Sequence, residues 1–219
     1  MTSNDRPLVA RAFTPTSPLR VAVLASGGGT NLQALLDAAN PAVRVVVVVV
    51  NVESAYAVER ARAAGVAVVV VPHRGLAREA HEALVNDALV SHDAELVVLA
   101  GYMRVLTAGF VDALAARGVR IVNVHPALLP SFPGMHGARQ ALDHGCRVAG
   151  CTVHFVDGGV DTGPILAQGA VPVLDNDDED ALQRRIQAVE HRLLPAVVAA
   201  FAAGRVVERD GRPRCLGVT

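Results

Sequence analysis

Short apolar runs alternate with helix-like stretches through the first half of the chain, and this alternation restricts the possible folds more than any other feature. The runs that predict strands are residues 20–25, 43–50, 66–71, 96–100 and 120–124. The stretches that predict helices are residues 32–39, 55–64, 76–91 and 108–116. Strands that alternate with helices across short loops are typical of β-α-β crossovers. The pattern therefore predicts an α/β protein with an open, mostly parallel twisted sheet and helices on both faces.

The composition agrees with a sheet that is covered on both sides. No polar residues alternate within the run 43–50, so we expect a strand buried on both faces. Hydrophobic residues make up 52% of the 219 residues but aromatic residues only 3%, so Val, Leu, Ile and Ala must build the core. This length and composition fit one domain.

The pattern changes after residue 126. The second part predicts a loop, a short helix, two strands and a long helix, at residues 127–137, 138–144, 149–156, 165–173 and 179–203. The apolar residues of the long helix are spaced so that it would cover one face of the sheet. We therefore predict a flexible leader at 1–19, one domain at 20–204 and a tail at 205–219, which suits a solvated hairpin or no structure.

The charge balance and the cysteines argue against several functional classes. With 20 basic and 21 acidic residues, the formal charge is −1, so neither a nucleic-acid partner nor a membrane surface is indicated. All basic residues are arginine, which excludes a lysine nucleophile. The 3 cysteines form no C-x-x-C pair, residues 1–19 lack the apolar core of a signal peptide, and no run could span a bilayer. We expect a cytoplasmic monomer or homodimer that binds no metal.

A glycine-rich loop, Ser-Gly-Gly-Gly-Thr-Asn at residues 26–31, joins the first predicted strand to the first predicted helix. Glycines let a ligand approach the backbone closely, and a helix N-terminus offers unpaired N–H groups and a positive dipole end. Phosphate is the ligand that suits such a loop. The spacing matches neither the dinucleotide-binding nor the P-loop motif, so a plain strand-to-helix turn explains this loop alone equally well.

Two polar residues lie at the end of the fifth predicted strand. Asn123 and His125 are two positions apart, so their side chains share one face of a strand. Open α/β sheets bind ligands at the carboxyl ends of their strands. An amide N–H can stabilise a developing oxyanion, and an imidazole can exchange protons near neutral pH. The pair therefore indicates catalysis, although two polar groups satisfied at a strand end would give the same pattern.

A third polar group lies in the turn 157–164, Asp-Gly-Gly-Val-Asp-Thr-Gly-Pro. In one interpretation Asp161 is an ordinary turn carboxylate. In the other, the turn folds over His125, and the carboxylate then orients the ring and favours the imidazolium. The sequence alone leaves both interpretations open.

Four segments together make the chain similar to a known family. In chain order they are VAVLASGGGTNLQALLDA, AGYMRVL, NVHPALLPSFPGMHG and HFVDGGVDTGPI. They resemble the phosphoribosylglycinamide formyltransferases, from about residue 20 to residue 203. The Asn-x-His-Pro and Asp-x-Gly-Pro motifs mark formyltransferases in general, whereas the glycine loop and the Pro-Gly-x-His stretch point to this group. The resemblance implies a Rossmann-like formyltransferase fold and transfer of a formyl group from 10-formyltetrahydrofolate to the amine of phosphoribosylglycinamide, in purine synthesis.

The resemblance also implies roles for individual residues. It makes Asn123, His125 and Asp161 catalytic. The residues expected to bind phosphoribosylglycinamide are Gly28, Gly29, Thr30, Asn31, Gln187 and Glu190. Those expected to bind folate, besides Asn123, are Arg78, Met103, Arg104, Val105, Leu106, Asp157, Gly158, Gly159, Val160 and Asp161. We expect His154, which lies in a strand pattern, to be a core residue or one that supports the site, rather than a catalyst.

Three other functions fit parts of the pattern. A formyltetrahydrofolate hydrolase would use the same Asn, His and Asp with water as acceptor, but we expect it to need a regulatory domain that residues 1–19 cannot supply. A methionyl-tRNA formyltransferase would need a further C-terminal domain and a basic surface. A nucleotide-binding module without activity would use only the glycine loop, and Asn123, His125 and Asp161 would then have no function.

Overall fold

Strands and helices alternate along the chain much as the apolar pattern predicts. The computed structural model describes residues 6–8 and 16–218. In chain order, its strands are β1 Arg6–Pro7, β2 Leu19–Ala25, β3 Val43–Val50, β4 Ala67–Val70, β5 Leu96–Leu99, β6 Arg120–His125, β7 Val148–Phe155, β8 Ile165–Pro172, β9 Val206–Arg209 and β10 Arg212–Cys215. Its helices are α1 Thr30–Asp37, α2 Ala57–Ala63, α3 Arg78–Ser91, α4 Ala108–Ala116, α5 Gly137–Asp143 and α6 Glu179–Ala202. Within these ranges no helix is both long and apolar enough to cross a membrane.

The main sheet has seven strands in the order β4-β3-β2-β5-β6-β7-β8. The first five of these pair in parallel, whereas β7 is antiparallel to both of its neighbours. The change of pattern after residue 126 is thus the point where antiparallel strands are added to a parallel sheet. The strand order reverses between β2 and β5, and ligands bind at such a switch point in open α/β sheets.

Alternate residues of the central strands pack into two different layers. In β2, Val21 and Val23 belong to a cluster with residues of α1, α2, α5 and α6. Ala22 and Leu24 of the same strand belong to a second cluster, with residues of α3 and α4. Helices therefore cover both faces of the sheet, and the predicted fold class is confirmed.

A small second sheet joins residues from both ends of the chain. In it, β9 pairs antiparallel with β1 and with β10. Val206 and Val207 of β9 are fully buried, and Leu8 packs against the larger core cluster. The predicted tail is therefore a hairpin with a buried apolar pair, and the expectation that it is solvated is wrong for β9. Residues 1–5 and 9–15 of the predicted leader lie outside the described residues, and the division into leader, domain and tail stays a prediction.

Candidate active site

A cavity of about 680 Å³ lies at the carboxyl ends of the parallel strands. Its walls come from the loops after β2, β5 and β6, from the turn between β7 and β8, and from one face of α6. This volume is in the range of small-molecule sites. The predicted site residues that line it are Gly28, Gly29, Thr30, Asn31, Met103, Arg104, Val105, Leu106, Asn123, His125, Asp157, Gly159, Val160, Asp161, Gln187 and Glu190.

Two predicted folate-binding residues lie outside this lining. Arg78 is exposed at the first residue of α3. A Cβ added to Gly158 would lie 2.8 Å from the Cβ of Ala108, so this glycine is packed against the start of α4. A contact of Arg78 or Gly158 with folate stays a prediction.

The cavity also has walls that the sequence did not predict. Glu179 and Gln183 line it from α6, eight and four positions before Gln187. Residues four apart share a helical face, so this spacing could have found both. Gly134 and Met135 come from the loop after β6, and no sequence pattern predicts the path of such a loop. Within the described ranges no group of three or more His, Cys, Asp or Glu side chains is placed to hold a metal ion.

His125 and Asp161 form a largely buried pair in the cavity lining. The Nδ1 of His125 lies 3.3 Å from the Oδ2 of Asp161, and their side chains are 4% and 12% exposed. The turn between β7 and β8 therefore folds over His125, as the second interpretation of Asp161 requires. Asn123 completes the cluster, with its Nδ2 at 3.4 Å from the Oδ1 of Asp161.

The Asp161 carboxylate accepts a backbone hydrogen bond and lies beside two imidazole rings. The N–H of Gly134 donates to Oδ2 at 2.8 Å, and the Nε2 of His154 lies 3.6 Å from Oδ1. Burial raises the pKa of Asp161, but the contacts with His154 and Gly134 and the charge of His125 lower it by more. The net pKa lies below the usual range of an aspartate, so Asp161 is ionised at neutral pH.

Both ring nitrogens of His125 face acceptors. Its Nε2 lies 2.8 Å from the carbonyl oxygen of Phe132, in the loop after β6, and its Nδ1 faces Asp161. A neutral imidazole has one N–H and can donate to only one of these groups, whereas the imidazolium donates to both. Oxygen acceptors on both sides therefore fix the orientation of the His125 ring.

His154 orients the Asn123 amide. The Nδ1 of His154 lies 2.8 Å from the carbonyl oxygen of Phe155, so in the neutral ring this nitrogen carries the proton and Nε2 is an acceptor. The Nδ2 of Asn123 donates to that Nε2 at 3.2 Å. Its second N–H makes only the 3.4 Å contact with Asp161, which is long for a hydrogen bond. This second N–H is therefore available to donate to a ligand oxygen. His154 accepts from the other N–H and supports the site.

Contacts with α2 fix the glycine loop. The N–H of Ala57 donates to the carbonyl oxygen of Gly27 at 3.1 Å. Gly29 has φ 67°, and a Cβ there would lie 2.8 Å from the Cα of Ala57. In the described part of the chain, the N–H groups of Gly28, Gly29 and Thr30 donate to no backbone carbonyl. The loop therefore offers several backbone donors to an anion.

Replacing Gly29 by Ala should destabilise the fold. The added Cβ meets the α2 backbone in a left-handed conformation, and together these effects should cost about 2–4 kcal/mol in the free energy of unfolding. Gly28→Ala is the matched control, because its φ is not left-handed and no atom lies within 4 Å of the added Cβ. Urea unfolding of both variants measures the difference, and an equal effect of the two substitutions would show that the contact with Ala57 is not tight.

Asn31 and Glu190 form a buried polar pair at the same end of the cavity. The Nδ2 of Asn31 donates to Oε2 of Glu190 at 2.9 Å. Burial raises the pKa of Glu190, and this hydrogen bond offsets only part of the effect. The Oδ1 of Asn31 is buried and has no hydrogen-bond partner within residues 6–8 and 16–218. An unpaired buried acceptor is costly, so a ligand N–H or O–H at this position would be bound favourably.

Two adjacent buried residues of α3 hold the loop after β5. The ring of His81 stacks on Tyr102, with centroids 6.5 Å apart. The N–H and the hydroxyl of Thr107 donate to the Glu82 carboxylate at 2.7 Å and 2.5 Å. The loop is thus fixed at both ends, and Met103, which is 66% exposed between them, is presented on an ordered backbone.

Comparison with known proteins places the chain in a family. Residues 19–198 match the family model described as formyl transferase, and the chain belongs to this family. The phosphoribosylglycinamide formyltransferase of Mycobacterium tuberculosis is 50% identical over 194 residues, which cover 86% of this chain and 87% of that protein. The protein of the same name from Escherichia coli is 40% identical over 194 residues, 86% of this chain and 89% of that protein.

The similarity extends to a larger protein and to solved structures. The trifunctional purine biosynthetic protein adenosine-3 of Drosophila melanogaster is 47% identical over 191 residues, but the match spans only 14% of that protein. The structure of glycinamide ribonucleotide transformylase 1 from Symbiobacterium toebii superposes with a TM-score of 0.85 at 47% identity, covering 91% of this chain and 94% of that one. The resemblance stated from the sequence motifs is therefore confirmed.

Proposed function

We propose that this protein transfers the formyl group of 10-formyltetrahydrofolate to the amine of phosphoribosylglycinamide, giving formyl-phosphoribosylglycinamide and tetrahydrofolate in purine synthesis. The observation that carries the proposal is that one cavity joins the Asn123, His125 and Asp161 cluster to a loop with free backbone donors. The names of the relatives support the same reaction. We also propose that the protein acts on these small molecules in the cytoplasm, where its free cysteines would stay reduced.

The cavity lining has polar and apolar parts, which suits two different substrates. The glycine loop offers backbone N–H groups for a phosphate, and Asn31, Gln187 and Glu190 offer polar groups for the rest of the acceptor. Residues 103–106 and the turn 157–161 add apolar side chains such as Met103 and Val160. Those surfaces suit the flat rings of a folate. The cluster around His125 lies in the same cavity, so both substrates can reach it.

Asn123 would stabilise the charge that develops during attack. When the amine adds to the formyl carbon, negative charge forms on the formyl oxygen. The Asn123 N–H that makes the long contact with Asp161 can donate to that oxygen, while the other N–H stays bonded to His154. A donor aimed in advance at developing charge lowers the barrier without reorganisation.

His125 would supply the proton that the leaving nitrogen needs. In this structure the Nε2 of His125 is hydrogen-bonded to the carbonyl oxygen of Phe132. This hydrogen bond must break before Nε2 can donate to a substrate atom. The attacking amine releases one proton and tetrahydrofolate gains one, so no net proton is consumed. Because the pKa of Asp161 is lowered, this carboxylate is a weak base. Its main role would be to hold the ring of His125, with a water passing on the proton of the amine.

Substituting His125 by Ala separates an enzyme from a binding module. Loss of a general acid should lower kcat by about 100- to 10,000-fold, while the dissociation constants of both substrates stay within a few-fold. Absorbance-monitored turnover and calorimetric titration measure the two effects. His92→Ala is a matched control, because His92 lies at the end of α3, outside the cavity lining. If the protein is only a binding module, the wild type has no turnover, so His125→Ala cannot lower it.

The acceptor dependence of wild-type turnover tests the reaction itself. Deformylation of 10-formyltetrahydrofolate should require phosphoribosylglycinamide. Deformylation without the acceptor would make the protein a hydrolase. Folded protein that deformylates nothing under either condition would contradict the proposed function and support the binding-module alternative.

A further inference from the structure

We propose that Arg60, a residue of α2 outside the cavity lining, is a positioning residue for the acceptor phosphate. It fixes the Gly28–Gly29 peptide so that its N–H faces the cavity, and it supplies the positive charge that the loop lacks. The inference rests on the proposed function, because the phosphate in question is that of phosphoribosylglycinamide.

The Arg60 side chain is held between α2, the glycine loop and α1. Its Nε donates to the carbonyl oxygen of Gly28 at 2.8 Å, and one terminal nitrogen donates to the Oε1 of Gln33 at 3.0 Å. Its guanidinium carbon lies 5.0 Å from the centroid of the Tyr56 ring, a distance at which a cation is attracted to the ring face. Three contacts on different elements leave the guanidinium little freedom to move.

The contact with Gly28 determines where the next N–H points. In a planar trans peptide the C=O of one residue and the N–H of the next are antiparallel. Because the Gly28 carbonyl points at Arg60, the N–H of Gly29 points away from it. The same holds one peptide earlier, where Ala57 binds the carbonyl of Gly27 and turns the N–H of Gly28 away from α2. Both glycines line the cavity, so two backbone donors are fixed on its side of the loop.

Arg60 also brings charge to a loop that has none. Residues 26–31 contain no basic side chain, and Arg60 donates to the backbone of this loop. A cation that donates to a peptide carbonyl polarises that peptide and strengthens its N–H as a donor. Burial and the charge of Arg60 both lower the pKa of His191. The charge therefore acts on the phosphate through the Gly28–Gly29 peptide.

The test compares acceptors with and without a phosphate. In Arg60→Ala, the KM for phosphoribosylglycinamide should rise about 10- to 100-fold, the effect expected from losing a hydrogen bond to a charged group. The KM for 10-formyltetrahydrofolate and the kcat/KM for the dephosphorylated acceptor should change by less than about 3-fold, since neither depends on a phosphate contact. Arg60→Lys keeps the charge and should recover part of the loss.

The matched control is Arg62→Ala on the same helix. It removes the same charge, but the Arg62 side chain is 65% exposed and pairs with Glu59 at the surface. It should leave every kinetic constant unchanged. An equal loss for phosphorylated and dephosphorylated acceptors in Arg60→Ala, or no loss at all, would overturn the inference.

Binding of inorganic phosphate gives a readout that does not depend on turnover. At constant ionic strength, phosphate should raise the melting temperature of the wild type and of Arg62→Ala, and much less that of Arg60→Ala. If phosphate protects all three proteins equally, Arg60 has no part in binding it. If the wild type shows the protection but no acceptor-dependent turnover, the proposed function fails while the role of Arg60 stands.

Discussion

Asn123→Ala should reduce kcat by about 100- to 1000-fold, which is what the loss of one oxyanion donor usually costs. The KM values of both substrates should stay within a few-fold, because the Asn123 N–H strengthens its bond only as charge forms on the formyl oxygen. Stopped-flow single turnover, monitored by folate absorbance, measures the chemical step directly. A change confined to KM would instead make Asn123 a binding residue.

The fold of this variant must be checked separately, because Asn123 has a structural partner. Its loss leaves the Nε2 of His154 without a donor, which should cost about 1–3 kcal/mol in the free energy of unfolding. Asn86→Ala is the matched control, since Asn86 accepts from Arg117 on the surface. Its kcat and KM should equal those of the wild type. Turnover of Asn123→Ala within a few-fold of the control would remove Asn123 from the mechanism.

The sheet could be predicted because its pattern of apolar runs and helical stretches repeats along the chain. Each parallel strand must be followed by a crossover helix, so an apolar run and a helical stretch appear in turn, as from Val43–Val50 to Ala57–Ala63. The antiparallel strands β7 and β8 were found as apolar runs, but nothing in a run shows its direction. A hairpin was one of the two possibilities for the tail, but the burial of β9 was missed, because Val206 and Val207 are flanked by charged residues that suggest solvent.

The cluster of Asn123, His125 and Asp161 could be predicted in part, for a related reason. Asn123 and His125 are adjacent on one strand face, and the position of that strand end in an open sheet is fixed by topology. Asp161 comes from a distant turn, and residue types alone did not decide whether it reaches His125. The resemblance to a family gave its role, and the 3.3 Å contact shows that it does reach the ring.

Backbone contacts were the part that no sequence pattern could supply. The carbonyl oxygen of Phe132 binds His125, and that of Gly28 binds Arg60, yet any residue has a carbonyl. Which carbonyl meets which side chain depends on the path of a loop across the sheet. No sequence pattern distinguishes Arg60 from the other charged residues of α2, and only the contact with the loop gives it a role.

Asp161→Asn should lower kcat by about 100-fold or more, because the amide keeps the shape of the side chain but not the charge that holds the His125 ring. Asn is the suitable replacement, since residue 161 has φ 55° and Asn tolerates the left-handed region better than Ala. Asp175→Asn is the control, because Asp175 is 84% exposed and pairs with Arg147 on the surface. Equal kcat in the two variants would contradict the role of Asp161.

The same substitution should change the pH dependence of stability in a defined direction. The pKa of Asp161 is lowered in the folded protein, so the ionised carboxylate stabilises the fold above its unfolded-state pKa of about 3.9. This contribution is lost as the pH falls through the folded-state pKa. Asp161→Asn lacks it at every pH. The free energy of unfolding, measured in urea, should therefore differ most between wild type and variant at pH 5, and the difference should shrink toward pH 3. A difference that stays constant over this range would show that Asp161 is not held by its charge.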